Sequence, residues 1–559
     1  MAGVPAHAET SDHSLNTFVA IDVSAISAQE LLDMGADIWG VRDDIWHLRV
    51  SRAMLDELSD RGVPFQIIHE DLQRAYEAYR QRWPLRRHGM PHTRSESFAD
   101  YHDLESTEDI LRRIAQTHSD IAVLEIIGYS IENRRIYALR ISDDASIVDD
   151  EEPAVLIIGC HHAREWISVE VPLFLADYLT DNYRKDGTVT RLINYTEIWI
   201  IPVLNPDGFH YSWTTERWWR KNRRDNGDGT FGVDPNRNYP SIDFGGSGTS
   251  MDTSSEVYPG TEAFSEPETQ AIRELIEGED GRDFIAAISY HNYSQLVMYP
   301  FGYTSEPTED ADTFESLGME MTRLINISHE NPAHDYRYGQ TSRVLYRASG
   351  DLTDWAYTDH GVLGFTIEVR PAGPPYFELP PNEIRPTCEE NLPAFLHLAE
   401  ETTIPGLKAS DPDLDGFAGV DDYCPNSPST DVDAMGCDDS EEDVDKDGIP
   451  NEEDACGDSL PGQLVDNDGC RVEALFALTI TSNIESVEVE VEPQDIDAKG
   501  DGLAGPAGLT RDYPSETDIM ITAAEESGGA VFRYWIADGE HLPAAERTIS
   551  MTTSRDVKL

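Results

Sequence analysis

A histidine and a glutamate three residues apart are the first residues of this chain that could do chemistry together. His162 and Glu165 lie in GCHHAREW, directly after the apolar run AVLII. Side chains at this spacing can converge on one ion where a strand end turns into a helix, and both residue types bind zinc. The pair alone is weak evidence, because the chain has 17 His and 106 acidic residues. It indicates a metal site only if other segments supply the missing parts.

A third ligand and a candidate base lie at the ends of two other apolar runs. His291 follows FIAAISY, and Glu368 lies at the end of GFTIEV. Two histidines and one glutamate leave a fourth zinc position open to water, which distinguishes a catalytic zinc site from a structural one. A carboxylate beside that water can take its proton and later deliver it to a leaving amine. The neighbouring His161 is interpreted as a packing or supporting residue.

Two segments rich in arginine offer the positive charges that such a reaction needs. Arg220 in RWWRKNRR could stabilise charge on a carbonyl oxygen. Arg237, beside Asn236 in GVDPNRNYP, could bind a terminal carboxylate through two parallel hydrogen bonds. Each arginine alone is typical of a solvated surface, but together with the metal residues they fit one reaction.

The elements that must position these residues form an α/β pattern over residues 98–405. Near-continuous apolar runs alternate with helical patterns, as expected of strands that are buried on both faces of a sheet. We therefore predict one catalytic domain here. Its strand runs are IYALRI, AVLIIG, EIWIIPVL, FIAAISY and GFTIEV.

The chain before this domain indicates a small separate module. Residues 1–13 are interpreted as a disordered N-terminus or the remnant of a signal peptide. Residues 14–83 predict a βαβαβ order, an α+β open sandwich, with one helix closed by Gly35. Residues 84–97 form a basic linker, which is either a site for an activating protease or a solvated connector.

Residues 408–470 carry 20 acidic residues against two lysines and cannot fold by apolar burial alone. DPDLDGFAGVDD and DVDKDGIPNEED repeat the acid and glycine spacing of a calcium loop. An acidic linker, the alternative, leaves the matched Gly416 and Gly448 unexplained. The segment resembles thrombospondin type 3 repeats, which implies a calcium-dependent spacer. The predicted calcium ligands are Asp411, Asp413, Asp415, Asp422, Asp443, Asp445, Asp447, Asn451 and Asp454.

The cysteines favour an exported protein. Four of the six fall in the acidic segment at near-equal separations that suit two local disulfides. The other two, Cys160 and Cys388, are expected to be buried thiols rather than a bridge. The four predicted disulfide cysteines are Cys424, Cys437, Cys456 and Cys470.

Residues 473–559 predict a β-rich accessory domain, loosely similar to bacterial internalin-type modules. It could bind a surface or glycan, or act as a passive spacer. The 559-residue length requires several domains, and the net charge of −64 excludes nucleic acid and anionic membrane surfaces as partners. No apolar run reaches the ~18 residues of a membrane span. We expect a secreted or cell-surface bacterial protein, a monomer, whose acidity reflects either a salty medium or an ordinary acidic surface.

Eight ordered motifs between Tyr101 and Thr403 resemble the metallocarboxypeptidases A, B and T. They are HHAREW, NPDGFHYSW, RWWRKNRR, GVDPNRNYP, YPGTEAFSEPET, SYHNYSQLVMYPFGY, LYRASGDLTDWAY and GFTIEVR. The resemblance implies a mixed, twisted sheet with helices on both faces, and one catalytic zinc on His162, Glu165 and His291, the His2Glu set for which carboxypeptidase A is known. The N-terminal module is similar in position to the family's inhibitory propeptide.

The resemblance also implies a role for each further site residue. Asp234 would orient the His162 ring, Glu368 would be general base and then acid for a water at the zinc, and Arg220 would polarise the scissile carbonyl. The substrate residues would be Asn236, Arg237 and Tyr346 for the terminal carboxylate, Arg164 and Tyr293 for nearer subsites, and Thr353 with Asp351 for specificity.

These assignments predict a secreted zinc exopeptidase that removes C-terminal residues from peptides or proteins, hydrophobic residues first and basic residues second. One alternative is hydrolysis of peptidoglycan or γ-glutamyl peptides, which Asn236, Arg237 and Tyr346 disfavour because they suit a free α-carboxylate. Another is a non-catalytic adhesion protein, which the presence of Glu368 disfavours.

Overall fold

The computed structural model describes residues 16–42, 44–82, 98–143, 152–278, 282–329 and 331–404, together with the backbone of ten strands between Leu475 and Thr552. The predicted calcium loops and their four cysteines, the basic linker and residues 1–13 lie outside the described residues.

Residues 16–82, here called the N-terminal module, form a four-stranded antiparallel sheet with three helices. The sheet order is β2-β3-β1-β4. The elements are β1 (Thr17–Asp22), α1 (Ala28–Asp33), β2 (Asp37–Arg42), β3 (Ile45–Val50), α2 (Arg52–Asp60), β4 (Gln66–His69) and α3 (Leu72–Arg82).

The predicted βαβαβ order of the module is incomplete, because it lacks β2 and α3. β2 is buried over Asp37–Gly40 and includes a charged residue, so it shows no simple alternation of apolar and polar positions. α3 is polar, and its tyrosines contact residues 98–404: Tyr76 packs edge-on against Trp218, and the Tyr79 hydroxyl donates to the Glu378 carbonyl at 2.6 Å. Both elements are therefore stabilised by contacts that lie far away in the sequence.

A mixed eight-stranded sheet forms the centre of residues 98–404, with the order β11-β10-β12-β9-β7-β8-β6-β5. The four strands β12, β9, β7 and β8 run parallel, and the flanking β10 and β6 run antiparallel to them. The strands are β5 (Ala122–Tyr129), β6 (Arg135–Ile141), β7 (Pro153–Ile158), β8 (Glu197–Ile201), β9 (Asp283–Asn292), β10 (Leu296–Tyr299), β11 (Arg337–Gln340) and β12 (Leu363–Val369).

Helices cover both faces of this sheet, which confirms the predicted fold class. On β7, Val155 and Ile157 join the cluster that includes α5 and α12, while Leu156 and Ile158 join the cluster with α8 and α11. This period of two is what buries β7 on both sides. The helices are α4 (Leu104–Thr117), α5 (Ile167–Asn182), α6 (Gly187–Asn194), α7 (Pro206–Thr214), α8 (Pro267–Glu277), α9 (Ala311–Ile327), α10 (Thr341–Val344), α11 (Leu352–His360) and α12 (Pro381–Thr403).

The carboxyl ends of β7, β9 and β12 meet at one edge of the sheet. His162 and Glu165 follow β7, His291 is the last residue but one of β9, and Glu368 is the last residue but one of β12. Gly159 allows the start of α5 to approach the end of β7 closely, because a Cβ there would lie 2.2 Å from the Ser168 carbonyl oxygen. The parallel strand order therefore gathers residues that are about 200 positions apart in sequence.

The two cysteines among the described residues, Cys160 and Cys388, are free and buried, as expected. None of the helices in the described part of the chain is long and apolar enough to span a membrane.

The C-terminal strands form four small sheets, and strands occur in each of the segments that predicted β structure. The strands are β13 (Leu475–Ile480), β14 (Val487–Glu492), β15 (Gly502–Ala504), β16 (Leu509–Pro514), β17 (Asp518–Ala523), β18 (Glu526–Ser527), β19 (Ala530–Val531), β20 (Trp535–Ala537), β21 (Glu540–Leu542) and β22 (Thr548–Thr552).

Candidate metal centre and active site

His162, Glu165 and His291 place three ligand atoms close together at the end of the sheet. The His162 Nδ1 lies 2.8 Å from Glu165 Oε1, and the His291 Nδ1 lies 3.0 Å from both His162 Nδ1 and Glu165 Oε2. All three side chains are buried. Although burial acts to raise the pKa of Glu165, the two imidazoles hold that pKa far below its usual range.

The donor chemistry of this cluster fits a zinc ion. The His162 Nε2 lies 3.1 Å from the buried Asp234 carboxylate, to which it donates, so the Nδ1 of that ring carries a lone pair. Three electron-rich atoms then face one point, which is unfavourable unless a cation occupies it. This set is the only such group of His, Cys, Asp and Glu found among the described residues.

Asp234 organises more of the site than the sequence predicts. Besides His162, it accepts hydrogen bonds from Arg220 Nε and Nη2 at 3.1 and 2.8 Å and from the Asn236 backbone N–H at 3.0 Å. Arg220 and His162 hold the pKa of Asp234 well below its usual range, against the opposing effect of burial. One carboxylate thus fixes a metal ligand, a candidate oxyanion donor and the turn that carries Asn236.

A chain of side chains also supports the second histidine ligand. The His291 Nε2 lies 3.0 Å from Ser289 Oγ, which lies 3.2 Å from His161 Nδ1. The other nitrogen of His161 contacts the Tyr239 hydroxyl at 3.0 Å. His161 therefore faces away from the ligand cluster and supports His291 through Ser289, in line with its interpretation as a supporting residue.

Glu368 lies beside the metal ligands because the sheet register places it there. β12 and β9 pair in parallel with Glu368 opposite His291. The carboxylate lines the same cavity as His162, Glu165 and His291, and its Oε2 has no hydrogen-bond partner among the described residues. Burial and the Glu165 charge raise the pKa of Glu368 well above its usual range.

The three residues predicted to bind a terminal carboxylate, Asn236, Arg237 and Tyr346, line the same cavity. The Arg237 guanidinium is held by the Gly248 and Asn236 carbonyl oxygens at 3.1 and 2.6 Å, and its Nη2 lies 3.2 Å from the Tyr346 hydroxyl. Asn236 is itself fixed, because its Oδ1 accepts the Leu352 N–H at 3.0 Å. The structure brings together all three residues predicted to bind the terminal carboxylate.

The two predicted specificity residues occupy different positions. Asp351 lines the cavity, together with Thr341, Ala348 and Thr366. Thr353 does not line it; its hydroxyl donates to Asp351 Oδ1 at 2.8 Å and its side chain packs against Gly364. Thr353 thus reaches the pocket only through Asp351, a difference from the sequence-based prediction.

Arg164 and Tyr293, predicted to line nearer subsites, are both covered by the N-terminal module. Arg164 is fully buried and donates two hydrogen bonds to Asp37, at 2.6 and 2.8 Å. Tyr293 packs into an aromatic cluster with Trp39 and Tyr376. Neither side chain lines the cavity in this form of the chain.

The N-terminal module contributes residues to the site that the sequence did not reveal. Ile38 and Trp39 of β2 line the cavity of about 50 Å³ that contains the metal ligands and Glu368. Both side chains therefore occupy space beside the ligand cluster. Strand β2 was absent from the prediction, so no local signal in the sequence pointed to Asp37, Ile38 or Trp39.

The chain is similar to known zinc carboxypeptidases. The sequence model of the family described as zinc carboxypeptidase (peptidase M14) matches residues 107–394. Human carboxypeptidase A5 is 35% identical over 346 residues, 62% of this chain and 77% of that protein. Human carboxypeptidase A1 is 33% identical over 62% of this chain and 80% of its own length, and zinc carboxypeptidase A 1 of Anopheles gambiae is 33% identical over 63% and 78%.

Two solved structures extend the comparison. Thrombin activatable fibrinolysis inhibitor matches with a TM-score of 0.59 and 27% identity, over 69% of this chain and 98% of that one. Carboxypeptidase A from Helicoverpa armigera matches with a TM-score of 0.60 and 24% identity, over 69% and 97%, and supports the fold. Both matches cover a larger share of the chain than residues 98–404 make up, so they extend beyond the domain that carries the metal ligands.

Proposed function

The chain belongs to the zinc carboxypeptidase family and is a metallocarboxypeptidase, and from that premise we propose that it is the secreted precursor of an exopeptidase that removes single residues from the C-termini of peptides. The observation that carries this proposal is one cavity that joins the His162, Glu165 and His291 ligand set, the Glu368 carboxylate and the Arg237 guanidinium. An endopeptidase cleaves within a chain, where no free carboxylate is present to be bound. An exopeptidase needs a cation at one end of its site to bind the free C-terminal carboxylate.

Each group of residues in the cavity has its own role in the reaction. A zinc ion on the three ligands would supply Lewis acidity for a scissile carbonyl and for a water molecule. Arg237, Asn236 and Tyr346 bind the terminal carboxylate, which fixes how far the peptide enters. Glu368 takes a proton from the attacking water and gives it to the leaving amine.

Arg220 stabilises the negative charge that develops on the carbonyl oxygen. Its guanidinium is held by Asp234 through Nε and Nη2, while Nη1 lies 3.7 Å from Glu165 Oε1, beside the ligand cluster. Donors that are already fixed in position cost no reorganisation when the charge appears, and a lost donor of this kind typically lowers kcat by about 10² to 10³.

The N-terminal module is proposed to be an inhibitory propeptide. Asp37 accepts two hydrogen bonds from Arg164, and Ile38 and Trp39 fill the space beside the ligands. Further contacts hold the module in place: Arg80 pairs with Glu378 at 2.5 Å, and Arg49 lies 3.4 Å from Glu256. Cleavage in residues 84–97 by an activating protease would release it. A relative at 27% identity is named as activatable by thrombin, which supports a precursor of this kind.

The pocket that receives the C-terminal side chain supports a preference for hydrophobic residues first and basic residues second. Its walls include Met298, Ala348 and Thr366, and Asp351 is the acidic side chain beyond the ligand and base residues. Steady-state kinetics on peptides ending in Phe, Leu, Arg and Lys test this order; a profile restricted to basic residues contradicts it.

Calcium binding by residues 408–470, two disulfides in that segment, a β-rich accessory domain and export to the cell surface remain parts of the proposal that rest on the sequence. Calcium titration followed by circular dichroism, and thiol counting with and without reductant, test the first two. Loss of the calcium response on Asp447→Asn, with Asp458→Asn as a control outside the loop spacing, would support the assigned ligands.

The experiment that tests the main proposal measures hydrolysis of a blocked dipeptide by the zinc-loaded full chain, before and after limited trypsin treatment. We expect activity to depend on zinc, to rise on treatment, and to disappear when the substrate's C-terminus is amidated. Equal hydrolysis of free and amidated C-termini would contradict the exopeptidase assignment.

A further inference from the structure

Asp351 carries a carboxylate oxygen that nothing in the described protein satisfies. It caps α11, and its Oδ1 accepts hydrogen bonds from the Asp354 N–H at 2.9 Å and the Thr353 hydroxyl at 2.8 Å. The other oxygen, Oδ2, is buried and has no hydrogen-bond partner among the described residues. A buried carboxylate in this state is costly as an anion unless it gains a cation or a proton.

A second buried carboxylate faces the same place. Both oxygens of Asp354 accept the Gly302 N–H at 2.9 Å, and Oδ2 also accepts the Tyr303 N–H at 3.1 Å. A Cβ on Gly302 would lie 2.6 Å from Asp351 Oδ2 and 3.6 Å from Asp354 Oδ2. The two carboxylates therefore flank one glycine, whose missing side chain allows Asp351 to approach its backbone closely.

The charged surroundings do not neutralise this pair. Arg237 is the cation that acts on Asp351, and its hydrogen bonds go to Gly248, Asn236 and Tyr346. Asp243 adds negative charge near Asp354, and Tyr239 and Tyr303 lie beside the pair. Arg220, Tyr346 and Glu368 line the same cavity as Asp351. Burial raises the pKa of Asp351, and burial together with the Asp351 charge raises the pKa of Asp354 well above its usual range.

We propose that Asp351 and Asp354 form a proton-linked selector: the pair retains a proton when an uncharged C-terminal side chain occupies the pocket, and releases it when a guanidinium or ammonium group does. This inference rests on the proposed function, and it adds Asp354 and Gly302 to the residues that decide specificity. The released proton goes to solvent, and the charge that it leaves on the pair is matched by the cation that has entered.

The direction of the pH dependence follows because binding of a charged side chain is coupled to proton release from the pair. A substrate ending in Arg is favoured when the pair is ionised, and one ending in Phe when it holds its proton. The ratio of kcat/KM for Arg to kcat/KM for Phe must therefore rise with pH, by at most about tenfold per pH unit, the limit for release of one proton. Arginine is the better probe, because its own charge does not change in the accessible pH range.

The test measures this ratio from about pH 5 to about pH 9, using blocked dipeptides ending in Arg and in Phe and the zinc-loaded full chain after limited trypsin treatment. Ionisation of Glu368 or loss of zinc alters both rates together and cancels in the ratio. We expect a rise of at least about tenfold overall. A constant ratio with both substrates hydrolysed overturns the selector but leaves the exopeptidase assignment intact; hydrolysis of neither overturns both.

Two variants separate the pair's charge from its structural role. Asp351→Asn keeps a good helix cap and an acceptor for the Asp354 N–H, so we expect a folded, zinc-loaded protein whose low Arg/Phe ratio no longer changes with pH. Asp354→Asn removes the neighbouring charge and keeps one oxygen that can accept the Gly302 and Tyr303 N–H groups, so the rise should remain and move to lower pH. A ratio that still rises in Asp351→Asn, or an unmoved midpoint in a folded Asp354→Asn, contradicts the proposal.

Discussion

Asp37 in β2 of the N-terminal module accepts two hydrogen bonds from Arg164, one residue before the metal ligand Glu165. Both side chains are fully buried, and Arg49 lies 3.1 Å from the same carboxylate. Burial acts to raise the pKa of Asp37, but Arg164 and Arg49 lower it to about 2. The module is therefore anchored next to the ligand cluster by a pair that remains charged through the physiological pH range.

Replacing Asp37 should release this anchor in the intact chain. Removal of one partner of a buried ion pair typically costs about 3 to 5 kcal/mol, because the other charge is left uncompensated. We expect Asp37→Ala to raise dipeptide hydrolysis by the uncleaved chain at least about tenfold, measured before any protease treatment. Asp56→Ala, an exposed acid on α2 of the same module, is the matched control and should have no effect. Equal activity of wild type and Asp37→Ala would contradict inhibition through Arg164.

Glu368→Gln tests the general base. The amide keeps the shape of the side chain but cannot accept the proton, so we expect kcat to fall by about 10² to 10⁴ while zinc content stays at one per chain. Atomic absorption and steady-state kinetics on the same preparation give both numbers. Glu320→Gln on α9, a half-buried residue outside the cavity, serves as the control. Full activity of zinc-loaded Glu368→Gln would show that another group is the base.

Removing the metal or its support tests the ligand assignment. Chelation should abolish hydrolysis, and added zinc should restore it. Asp234→Asn should weaken zinc binding by about 10- to 100-fold, because Asp234 fixes the His162 ring. The same variant loosens Arg220, so kcat at saturating zinc should fall as well. Unchanged zinc affinity, measured by competition with a fluorescent chelator, would argue against His162 as a ligand.

A buried pair at the start of the catalytic region predicts how stability depends on pH. The backbone N–H of His102 donates to Glu170 Oε1, and the ring Nδ1 of His102 lies 2.7 Å from Glu170 Oε2. Burial opposes the charged imidazole, but the Glu170 carboxylate prevails and raises the pKa of His102. A raised folded-state pKa stabilises the protein fully below the unfolded value of about 6.5, and that stability is lost as the pH rises through the folded pKa.

We therefore expect the free energy of unfolding to decline as the pH rises above about 6.5, and His102→Gln to remove part of that decline. Denaturant melts at several pH values on the zinc-loaded chain measure it. Replacement of the exposed His210 by Gln is the control. Identical pH profiles for His102→Gln and wild type would show that the pair does not contribute.

The sequence by itself determined the chemistry of the metal site. His162, Glu165, His291 and Glu368 each lie at or just after the end of a long apolar run, and the runs alone predict buried parallel strands with their carboxyl ends at one edge. Arg237 and Asn236 of GVDPNRNYP were predicted from residue type and from the family resemblance.

Only the tertiary structure decided which of these residues meet and what else meets them. The strand order β12-β9-β7 and the register that places Glu368 opposite His291 depend on pairing between distant segments. The same holds for β2, which is buried by contacts from two parts of the chain and so lacks a readable pattern, and for Asp37 on Arg164. Thr353 and Asp351 are two residues apart, yet only packing against Gly364 and Gly302 decides that Asp351 faces the pocket.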